Sequence, residues 1–421
     1  MQTSTVSARE SLGFREIGIK PVFLKILDDR KISQPTPIQH QAIPLALEGK
    51  DLVGIAQTGT GKTFAFGLPM LQQLAAGKKR ALILLPTREL AYQVEEALRP
   101  FASVVGIRMA VFVGGASMHL QQQMIKGNPR ILIATPGRLN DHLQRRTVSL
   151  KEVDILVLDE ADRMLDMGFK PQIDRVLSHV PRVRQTLLFS ATMPQSIIKL
   201  ASSQMHLPLH IEVAPSGTAA AKVEQEVIIV QQQDKLLLLK SLLGESEGKV
   251  LVFSRTKYGA KKIVRALSAA KFRAAEIHSN RSLGQRRAAL EGFKKGAHRV
   301  LVATDIASRG IDVTDIAIVI NYDLPDDPSD YVHRIGRTGR ADREGHAISF
   351  ATPTQASSIR DIERLIRTPI RRRQHAALPP VPMEEKSRTS AHPHQHTGRP
   401  HAHSFNRSAH RHHTRGRYRR R

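Results

Sequence analysis

DLVGIAQTGTGKTFAFGLPMLQQLA, residues 51–75, joins a short apolar run to a helical pattern through a glycine-rich loop. A strand, a glycine-rich loop and a helix in this order are typical of a phosphate-binding loop, because main-chain amides and the helix N-terminus attract phosphate oxygens. We predict that Lys62 reaches the β- and γ-phosphates of a nucleotide and that Thr63 holds Mg²⁺. The other predicted loop contacts are Gln57, Thr58, Gly59, Thr60 and Gly61.

The run VLDEAD (157–162) supplies the acids that such a site needs. A strand that ends in consecutive acids places a carboxylate at the carboxyl edge of a sheet, where phosphates bind in α/β proteins. Asp159 is therefore predicted to hold Mg²⁺ through water, and Glu160 to orient and deprotonate an attacking water.

Apolar runs without polar alternation recur along the chain, with helical patterns between them. They form two series: ALILLP (81–86), ILIATP (131–136), DILVLDE (154–160) and TLLFSAT (186–192), then KVLVFSR (249–255), RVLVATD (299–305) and IAIVINYD (316–323). Such runs are typical of strands that are covered on both faces, as in parallel α/β sheets. We therefore predict an α/β chain with two parallel-sheet domains, residues 1–212 and 223–368, joined by the linker 213–222.

Composition narrows the possible partners. The formal net charge of +26 indicates a polyanionic partner. Aromatic residues make up 4% of the chain and Trp is absent, which disfavours base stacking as the main binding mode and favours contacts to a nucleic-acid backbone. The chain has no Cys, which excludes disulfides and thiolate metal sites. No signal peptide or membrane-spanning run is recognisable, so we expect a soluble, cytoplasmic protein without a membrane partner.

These features together resemble a DEAD-box ATP-dependent RNA helicase, a family built from two tandem RecA-like domains. The letters DEAD stand at 159–162, and the other family motifs are PTPIQ (35–39), PTRELA (86–91), GG (114–115), TPGR (135–138), SAT (190–192), ATDIASRGID (303–312) and HRIGRTGR (333–340). Ala56 is the family's own variant of the phosphate-binding loop. The similarity runs from Phe14 to the region of residue 350, and the arrangement resembles the bacterial RhlE-type subfamily.

The resemblance implies further roles at the nucleotide. Gln39, in the family's Q motif at 35–39, would recognise the adenine edge, since one amide can donate and accept together. Phe14 would stack on the adenine ring, and Asp312 would contact the ribose.

The HRIGRTGR motif implies that catalysis needs both domains. Arg337 and Arg340 would act as arginine fingers that reach the γ-phosphate from the second domain, and His333 would link the site to the acidic motif. Ser190 and Thr192 of SAT would couple domain closure to strand separation.

RNA contacts implied by the resemblance are distributed over both domains: Arg88, Gly115, Thr135 and Arg138 in the first, and Arg255 and Thr304 in the second. Arginines and hydroxyls suit phosphate and 2′-OH groups, so we expect little sequence preference and RNA rather than DNA. At Ser279 and Leu283 the chain departs from the family's usual Gly and Gln, which predicts a weaker or rearranged grip in the second domain.

Residues 369–421 form a predicted disordered tail. From residue 371 onwards the tail holds 12 Arg, 1 Lys and 2 Glu, together with 9 of the 19 histidines, and lacks periodic apolar residues. The run RHHTRGRYRRR (411–421) favours an electrostatic RNA tether. Metal binding by HPHQH and HAH and a purely solubilising role are the alternatives.

The sequence therefore predicts RNA-stimulated ATP hydrolysis, with ATP and Mg²⁺ as cofactors. Hydrolysis would be coupled to local unwinding of short RNA duplexes or to remodelling of RNA–protein complexes. An ATP-gated RNA clamp or annealing factor is the alternative, since both classes need the same residues. Ribosomal precursors or the RNA-decay machinery are the expected partners, and the core is expected to be monomeric.

Overall fold

Two parallel sheets organise the chain in the computed structural model. The structure describes residues 13–57, 59–213, 223–305, 313, 315–339, 345–376, 378–379 and 383. We call each sheet with its helices a lobe, the first and the second in chain order. The predicted α/β fold with two parallel-sheet domains is confirmed. Among the described residues, no helix is both long enough and apolar enough to span a bilayer.

The first lobe alternates strands with helices. Its strands are β1 (Leu52–Ile55), β2 (Arg80–Leu84), β3 (Met109–Phe112), β4 (Ile131–Ala134), β5 (Val153–Leu158), β6 (Gln185–Ser190) and β7 (Leu209–Glu212). Its helices are α1 (Pro21–Asp29), α2 (Pro37–Leu47), α3 (Lys62–Ala75), α4 (Arg88–Val104), α5 (Met118–Lys126), α6 (Pro136–Gln144), α7 (Ala161–Asp166), α8 (Lys170–Leu177) and α9 (Gln195–Gln204).

The second lobe follows the same alternation. Its strands are β8 (Val223–Ile229), β9 (Lys249–Phe253), β10 (Ala274–Ile277), β11 (Val300–Ala303), β12 (Ile316–Asn321), β13 (Gly345–Ala351) and β14 (Arg371–Arg373). Its described helices are α10 (Lys235–Glu245), α11 (Lys257–Ala269), α12 (Leu283–Lys294), α13 (Pro328–Ile335), a 3₁₀ turn (Pro353–Gln355) and α14 (Ala356–Ile366).

The two sheets share one strand order. It is β3-β4-β2-β5-β6-β1-β7 in the first lobe and β10-β11-β9-β12-β13-β8-β14 in the second, so each second-lobe strand takes the place of its first-lobe counterpart in chain order. Parallel strands end at the same edge of a sheet, where ligands of α/β proteins bind. Because β5, β6 and β1 are neighbours, the phosphate-binding loop, the DEAD acids and SAT meet at that edge of the first lobe.

The strands predicted from continuous apolar runs are buried on both faces. In β2, Ala81 and Ile83 belong to the apolar cluster that contains side chains of α3 and α4. Leu82 and Leu84 belong to the cluster on the opposite face of the sheet. Since neither face of these strands meets water, no polar alternation is needed in their sequence.

The strands that the apolar runs did not predict include all four sheet edges. β3 and β7 flank the first sheet, and β10 and β14 flank the second. β7 (LHIE) and β14 (RRR) are partly exposed, so their sequences lack a continuous apolar run. β3 (MAVF) is apolar and largely buried, and its short run was missed in the sequence.

Strand β14 corrects the predicted start of the tail at residue 369. β14 pairs in parallel with β8, and Arg373 Nη1 donates to Glu226 Oε2 at 3.0 Å. Glu226 is 4% exposed and also contacts His346 Nε2 at 3.3 Å. The second lobe therefore extends past residue 368. Residues 384–421 and the linker residues 214–222 lie outside the described residues, so the other domain boundaries stay predictions.

We expect a chain that ends at residue 369 to be less stable than one that ends at residue 384. The shorter chain lacks the β14–β8 pairing and leaves the buried Glu226 without Arg373, and a buried acceptor that loses a hydrogen-bond partner costs about 1–3 kcal/mol. Urea unfolding followed by circular dichroism measures the difference. Equal midpoints for the two chains would show that β14 does not stabilise the second lobe.

Candidate active site

The phosphate-binding loop follows β1 and is shaped by two glycines. Gly59 and Gly61 have φ values of +90° and +94°, in the left-handed region that favours glycine. A Cβ on Gly61 would clash with the side-chain amide of Gln39. Thr60 Oγ1 donates to Gln57 O at 2.7 Å and closes the turn. The loop therefore holds its shape through its own residues and through α2.

Gln39 connects α2 to the phosphate-binding loop. Its Oε1 accepts from Thr36 N at 2.9 Å, and its Nε2 donates to Gly61 O at 3.0 Å. Gln39 is 2% exposed, and Phe14 is 4% exposed in the apolar cluster that includes side chains of α1 and α2. Both residues lie in the first lobe as the sequence motifs predict, and their adenine contacts stay predictions.

Lys62 is the first residue of α3 and lies beside the acids that follow β5. Its side chain is 6% exposed, and Nζ has no hydrogen-bond partner among the described residues. A buried ammonium group is costly unless an anion compensates it. Lys62 and the half-buried Thr63, at a helix N-terminus after a glycine-rich loop, therefore fit the phosphates of a nucleotide.

Asp159 and Glu160 follow β5 directly and are both buried. Burial raises the pKa of Asp159 to about 6, and the charge of Lys62 acts in the opposite direction. Burial also acts to raise the pKa of Glu160, but nearby cations outweigh it and hold that pKa at about 2. Those cations are Arg163, Lys62, Arg337 and His333, in decreasing order of effect. The two adjacent carboxyls therefore differ in their tendency to ionise.

Two of the cations that act on Glu160 come from the second lobe. Arg337 and His333 belong to HRIGRTGR, and Arg337 is 3% exposed. Helix α13 ends at Ile335, and the turn after it is fixed by Thr338 Oγ1, which donates to Ile316 O at 2.6 Å. The structure thus brings the predicted Arg337 and His333 to the predicted Glu160.

Three predicted nucleotide contacts lie outside the described residues. They are Thr58, Asp312 and Arg340. Their predicted contacts with phosphate, ribose and γ-phosphate stay predictions.

Arg334 is a buried residue of HRIGRTGR that the sequence analysis did not single out. Its Nε and Nη2 donate to the two carboxylate oxygens of Asp305 at 2.6 and 2.7 Å. Its Nη1 donates to Asp323 O at 2.6 Å and to Asn321 Oδ1 at 3.2 Å, and the guanidinium lies 5.0 Å from the centre of the Phe253 ring. Arg334 therefore ties α13 to the loops after β11 and β12. The sequence signal that could have indicated this contact is Asp305, an acid that follows the apolar run of β11.

Asp162, the last acid of DEAD, connects that motif to SAT. Its Oδ2 accepts from Ala191 N at 3.0 Å and from Thr192 N and Oγ1, both at 2.9 Å. Ser190 is fully buried, and Ala56 N donates to its carbonyl oxygen at 3.0 Å. Of the predicted coupling residues, Ser190 therefore contacts Ala56 of the phosphate-binding loop, and Thr192 contacts Asp162 of the DEAD motif.

The predicted RNA contacts of the first lobe lie at one edge of the sheet, after β2, β3 and β4. Arg88 begins α4, and a Cβ on Gly115 would clash with its guanidinium. Thr135 precedes α6, and Arg138 Nη1 donates to Ala116 O at 3.1 Å. Because β3, β4 and β2 are neighbours, the four predicted residues are brought to a common edge.

The predicted RNA contacts of the second lobe follow two neighbouring strands. Arg255 follows β9, and its Nη2 donates to Leu324 O at 3.2 Å and lies 3.4 Å from Asp326 Oδ1. Thr304 follows β11, and its N donates to Ile277 O at 3.3 Å. These strands occupy the places of β2 and β4 in the first lobe, so the two predicted RNA edges correspond.

Glu89 and Arg286 form a buried ion pair between the lobes that the sequence analysis missed. Arg286 Nη2 of α12 lies 2.9 Å from Glu89 Oε2 of α4, and their side chains are 9% and 7% exposed. Burial raises the pKa of Glu89, and the charge of Arg286 opposes this shift. Of the two departures near Arg286, Ser279 is exposed, and the side chain of Leu283 lies outside the described residues. The predicted weakening or rearrangement of the RNA contacts of the second lobe stays a prediction.

Both lobes match models of known protein families. Residues 36–200 match the family model for DEAD/DEAH box helicases, and residues 234–342 match that for the helicase conserved C-terminal domain. The chain is 44% identical over 353 residues to the ATP-dependent RNA helicase CshA of Listeria monocytogenes serovar 1/2a, which covers 83% of this chain and 68% of the relative. This relative's name does not support the predicted RhlE-type subfamily.

Solved structures agree with these matches. S. cerevisiae Dbp5 bound to RNA and ADP BeF3 superposes with a TM-score of 0.77 at 31% identity, over 86% of this chain and 95% of that one. Mss116p bound to ssRNA and AMP-PNP superposes with a TM-score of 0.80 at 26% identity, over 87% and 80%. The predicted tandem RecA-like architecture is thereby confirmed, and this chain belongs to the DEAD-box family of ATP-dependent RNA helicases.

Proposed function

We propose that this helicase hydrolyses ATP at the seam between its lobes and that RNA bound across both lobes favours the closed arrangement. The observation that carries the proposal is the charge environment of Glu160, to which Lys62 contributes from the first lobe and Arg337 and His333 from the second. Preorganised cations stabilise the charge that develops on a transferring phosphoryl group. Because the set needs both lobes, any ligand that holds the lobes together promotes hydrolysis.

Each charged group has a distinct role in this proposal. Lys62 contacts the β- and γ-phosphates, Arg337 and Arg340 contact the γ-phosphate, and Glu160 orients the attacking water and accepts its proton. A carboxyl with a pKa near 2 is a weak base. Phosphates that engage Lys62 and Arg337 reduce the pull of these cations on Glu160, so nucleotide binding makes Glu160 a better proton acceptor.

Thr63 and Asp159 are the proposed ligands of Mg²⁺, Asp159 through water. The buried carboxyl of Asp159 fits this role, since a divalent cation favours its ionised form in spite of the raised pKa. When bound, Mg²⁺ would neutralise charge on the phosphate oxygens.

We propose that the RNA backbone lies along the corresponding sheet edges of the two lobes. The contacts are Arg88, Gly115, Thr135 and Arg138 on the first lobe and Arg255 and Thr304 on the second. Guanidinium and hydroxyl groups recognise phosphate and 2′-OH groups, which gives little sequence preference and favours RNA over DNA.

For the biological setting, we propose a cytoplasmic protein with a monomeric core that acts on ribosomal precursors or on RNA that enters decay. The net charge of +26 supports association with large RNA. Relatives named CshA support a subfamily assignment nearer to CshA than to RhlE.

The Glu89–Arg286 pair supports the closed arrangement. Both charges are desolvated, and each is left without this partner when the lobes separate. The pair lies on α4, which begins at Arg88, and on α12. The pair is therefore placed to couple RNA binding at Arg88 to lobe closure.

Replacing Glu160 by Gln is expected to retain ATP binding and to lower kcat about 10²–10⁴-fold, because an amide cannot accept the proton. Fluorescent-nucleotide binding and steady-state ATPase assays measure the two effects. In a duplex-displacement assay, the wild type should release a strand with ATP, whereas the variant should not. Normal turnover by the variant would contradict the role of Glu160, and a wild type that never displaces a strand would favour the clamp or annealing factor.

Replacing Arg337 by Ala is expected to lower kcat about 10³-fold or more, because the transferring phosphoryl group loses a fixed cation. RNA affinity without nucleotide should change little. The control is Arg364→Ala, which removes an arginine whose side chain is 78% exposed. Equal losses of hydrolysis and nucleotide-free RNA binding in the Arg337 variant would count against its proposed role.

Glu89→Ala and Arg286→Ala are each expected to weaken RNA binding in the presence of a non-hydrolysable ATP analogue. If the ion pair acts as a unit, the double variant should lose less than the sum of the single losses, with a coupling of about 0.5–3 kcal/mol. Fluorescence anisotropy with labelled RNA provides the affinities. The exposed pair Arg364–Asp361 serves as the control cycle, with an expected coupling of about 0–1 kcal/mol. Strict additivity at Glu89 and Arg286 would refute the coupling.

A further inference from the structure

The second lobe contains a counterpart of the nucleotide-binding edge of the first lobe. In the first lobe, the phosphate-binding loop, the DEAD acids and SAT follow β1, β5 and β6. The strands in the same places of the second sheet are β8, β12 and β13. A cleft of about 950 Å³ lies at their carboxyl ends. Its lining includes residues that follow each of these three strands.

This cleft lacks the features of a triphosphate site. The loop after β8 reads VQQQDK (230–235), contains no glycine and has no residue with a positive φ, in contrast to Gly59 and Gly61. Lys235 begins α10 as Lys62 begins α3. However, Lys235 Nζ donates to Tyr322 O at 2.8 Å and to Asp323 Oδ1 at 3.0 Å. Its charge is already compensated by the protein.

The groups that line the cleft instead suit a nucleotide unit of RNA. Gln231, Gln232 and Gln233 are exposed amides that can pair with base edges and 2′-OH groups. Tyr322 contributes an aromatic ring, and burial raises its pKa to about 12, so its hydroxyl stays neutral. Lys262 is an exposed cation on the wall formed by α11. The cleft therefore combines amide, aromatic and cationic groups.

Arg255 makes this cleft continuous with the proposed RNA edge. Arg255 lines the cleft and is also one of the two RNA contacts proposed for the second lobe. Its neighbour Asp326, whose side chain is 79% exposed, forms a 3.4 Å ion pair that an RNA phosphate can replace at little cost. A strand whose backbone contacts Arg255 thus presents its next nucleotide at the mouth of the cleft.

We propose that the cleft after β8, β12 and β13 binds one nucleotide of the RNA strand that the helicase engages, with its base against Tyr322 and the glutamine amides and its phosphate near Lys262. The inference rests on the proposed RNA path through Arg255. It assigns the second lobe a binding subsite beyond the two predicted contacts Arg255 and Thr304.

The test compares two variants of the full chain. Gln232→Ala/Lys262→Ala removes two exposed groups of the cleft, whereas Lys261→Ala removes the neighbouring exposed cation of α11, which does not line the cleft. Affinity for single-stranded RNA is measured by anisotropy with a non-hydrolysable ATP analogue. The cleft variant should bind about tenfold more weakly. The slope of log affinity against log salt should fall by about 0.7 for the lost phosphate contact.

Lys261→Ala should change neither quantity to that extent. Equal losses in the two variants would show a diffuse basic surface and would overturn the proposal. Crosslinking of wild-type chain to RNA that contains 4-thiouridine provides a second readout, with crosslinked peptides expected around Gln231–Gln233 or Tyr322. Crosslinks confined to the Arg88–Arg138 edge would also overturn the proposal. A wild type that fails to bind RNA with the analogue would instead refute the proposed function, so the two failures are distinguishable.

Discussion

The ionised state of a buried carboxylate is the constraint on which this active site depends. Removing a carboxylate from water costs several kcal/mol, and Glu160 is only 3% exposed. Its pKa nevertheless stays near 2, because Arg163, Lys62, Arg337 and His333 compensate its charge. Two of those four side chains belong to the second lobe. The charge environment of Glu160 in this structure therefore draws on both lobes, and this is the basis for our proposal that hydrolysis needs lobe closure.

The strand order determines which groups of the active site lie close to one another. Neighbouring strands β5, β6 and β1 bring the acids, SAT and the phosphate-binding loop to one edge, and Asp162 joins two of them through three hydrogen bonds to SAT. The strands β3, β4 and β2 of the same sheet carry the proposed RNA contacts. The proposed nucleotide and RNA sites are thus two parts of the carboxyl edge of one sheet. On our proposal, a ligand at either part that holds the lobes together also brings the second lobe to the other part.

Local sequence patterns predicted those elements whose structure is determined by residues that are close together in the sequence. Continuous apolar runs indicated the central strands because burial on both faces removes any need for alternation, and glycine spacing indicated the loop around Gly59 and Gly61. Edge strands such as β14 were missed, since RRR gives no apolar signal and its pairing with β8 is a tertiary contact. The partners Glu89 and Arg286 lie far apart in sequence. Nothing in either segment alone indicates that they meet.

The two lobes share one topology but differ in the contacts of the buried lysine that begins the corresponding helix. Lys62 and Lys235 each begin the helix that follows corresponding strands, and both are buried. Lys235 is held by Asp323 and by a main-chain carbonyl, so it stabilises its own lobe and has no need of a ligand. Lys62 has no hydrogen-bond partner among the described residues, and the charges of Asp159 and Glu160 act on it from nearby, so its ammonium donors remain available to a phosphate. The hydrogen bonds that Lys235 has already formed within the second lobe are thus left open to a ligand at Lys62 in the first.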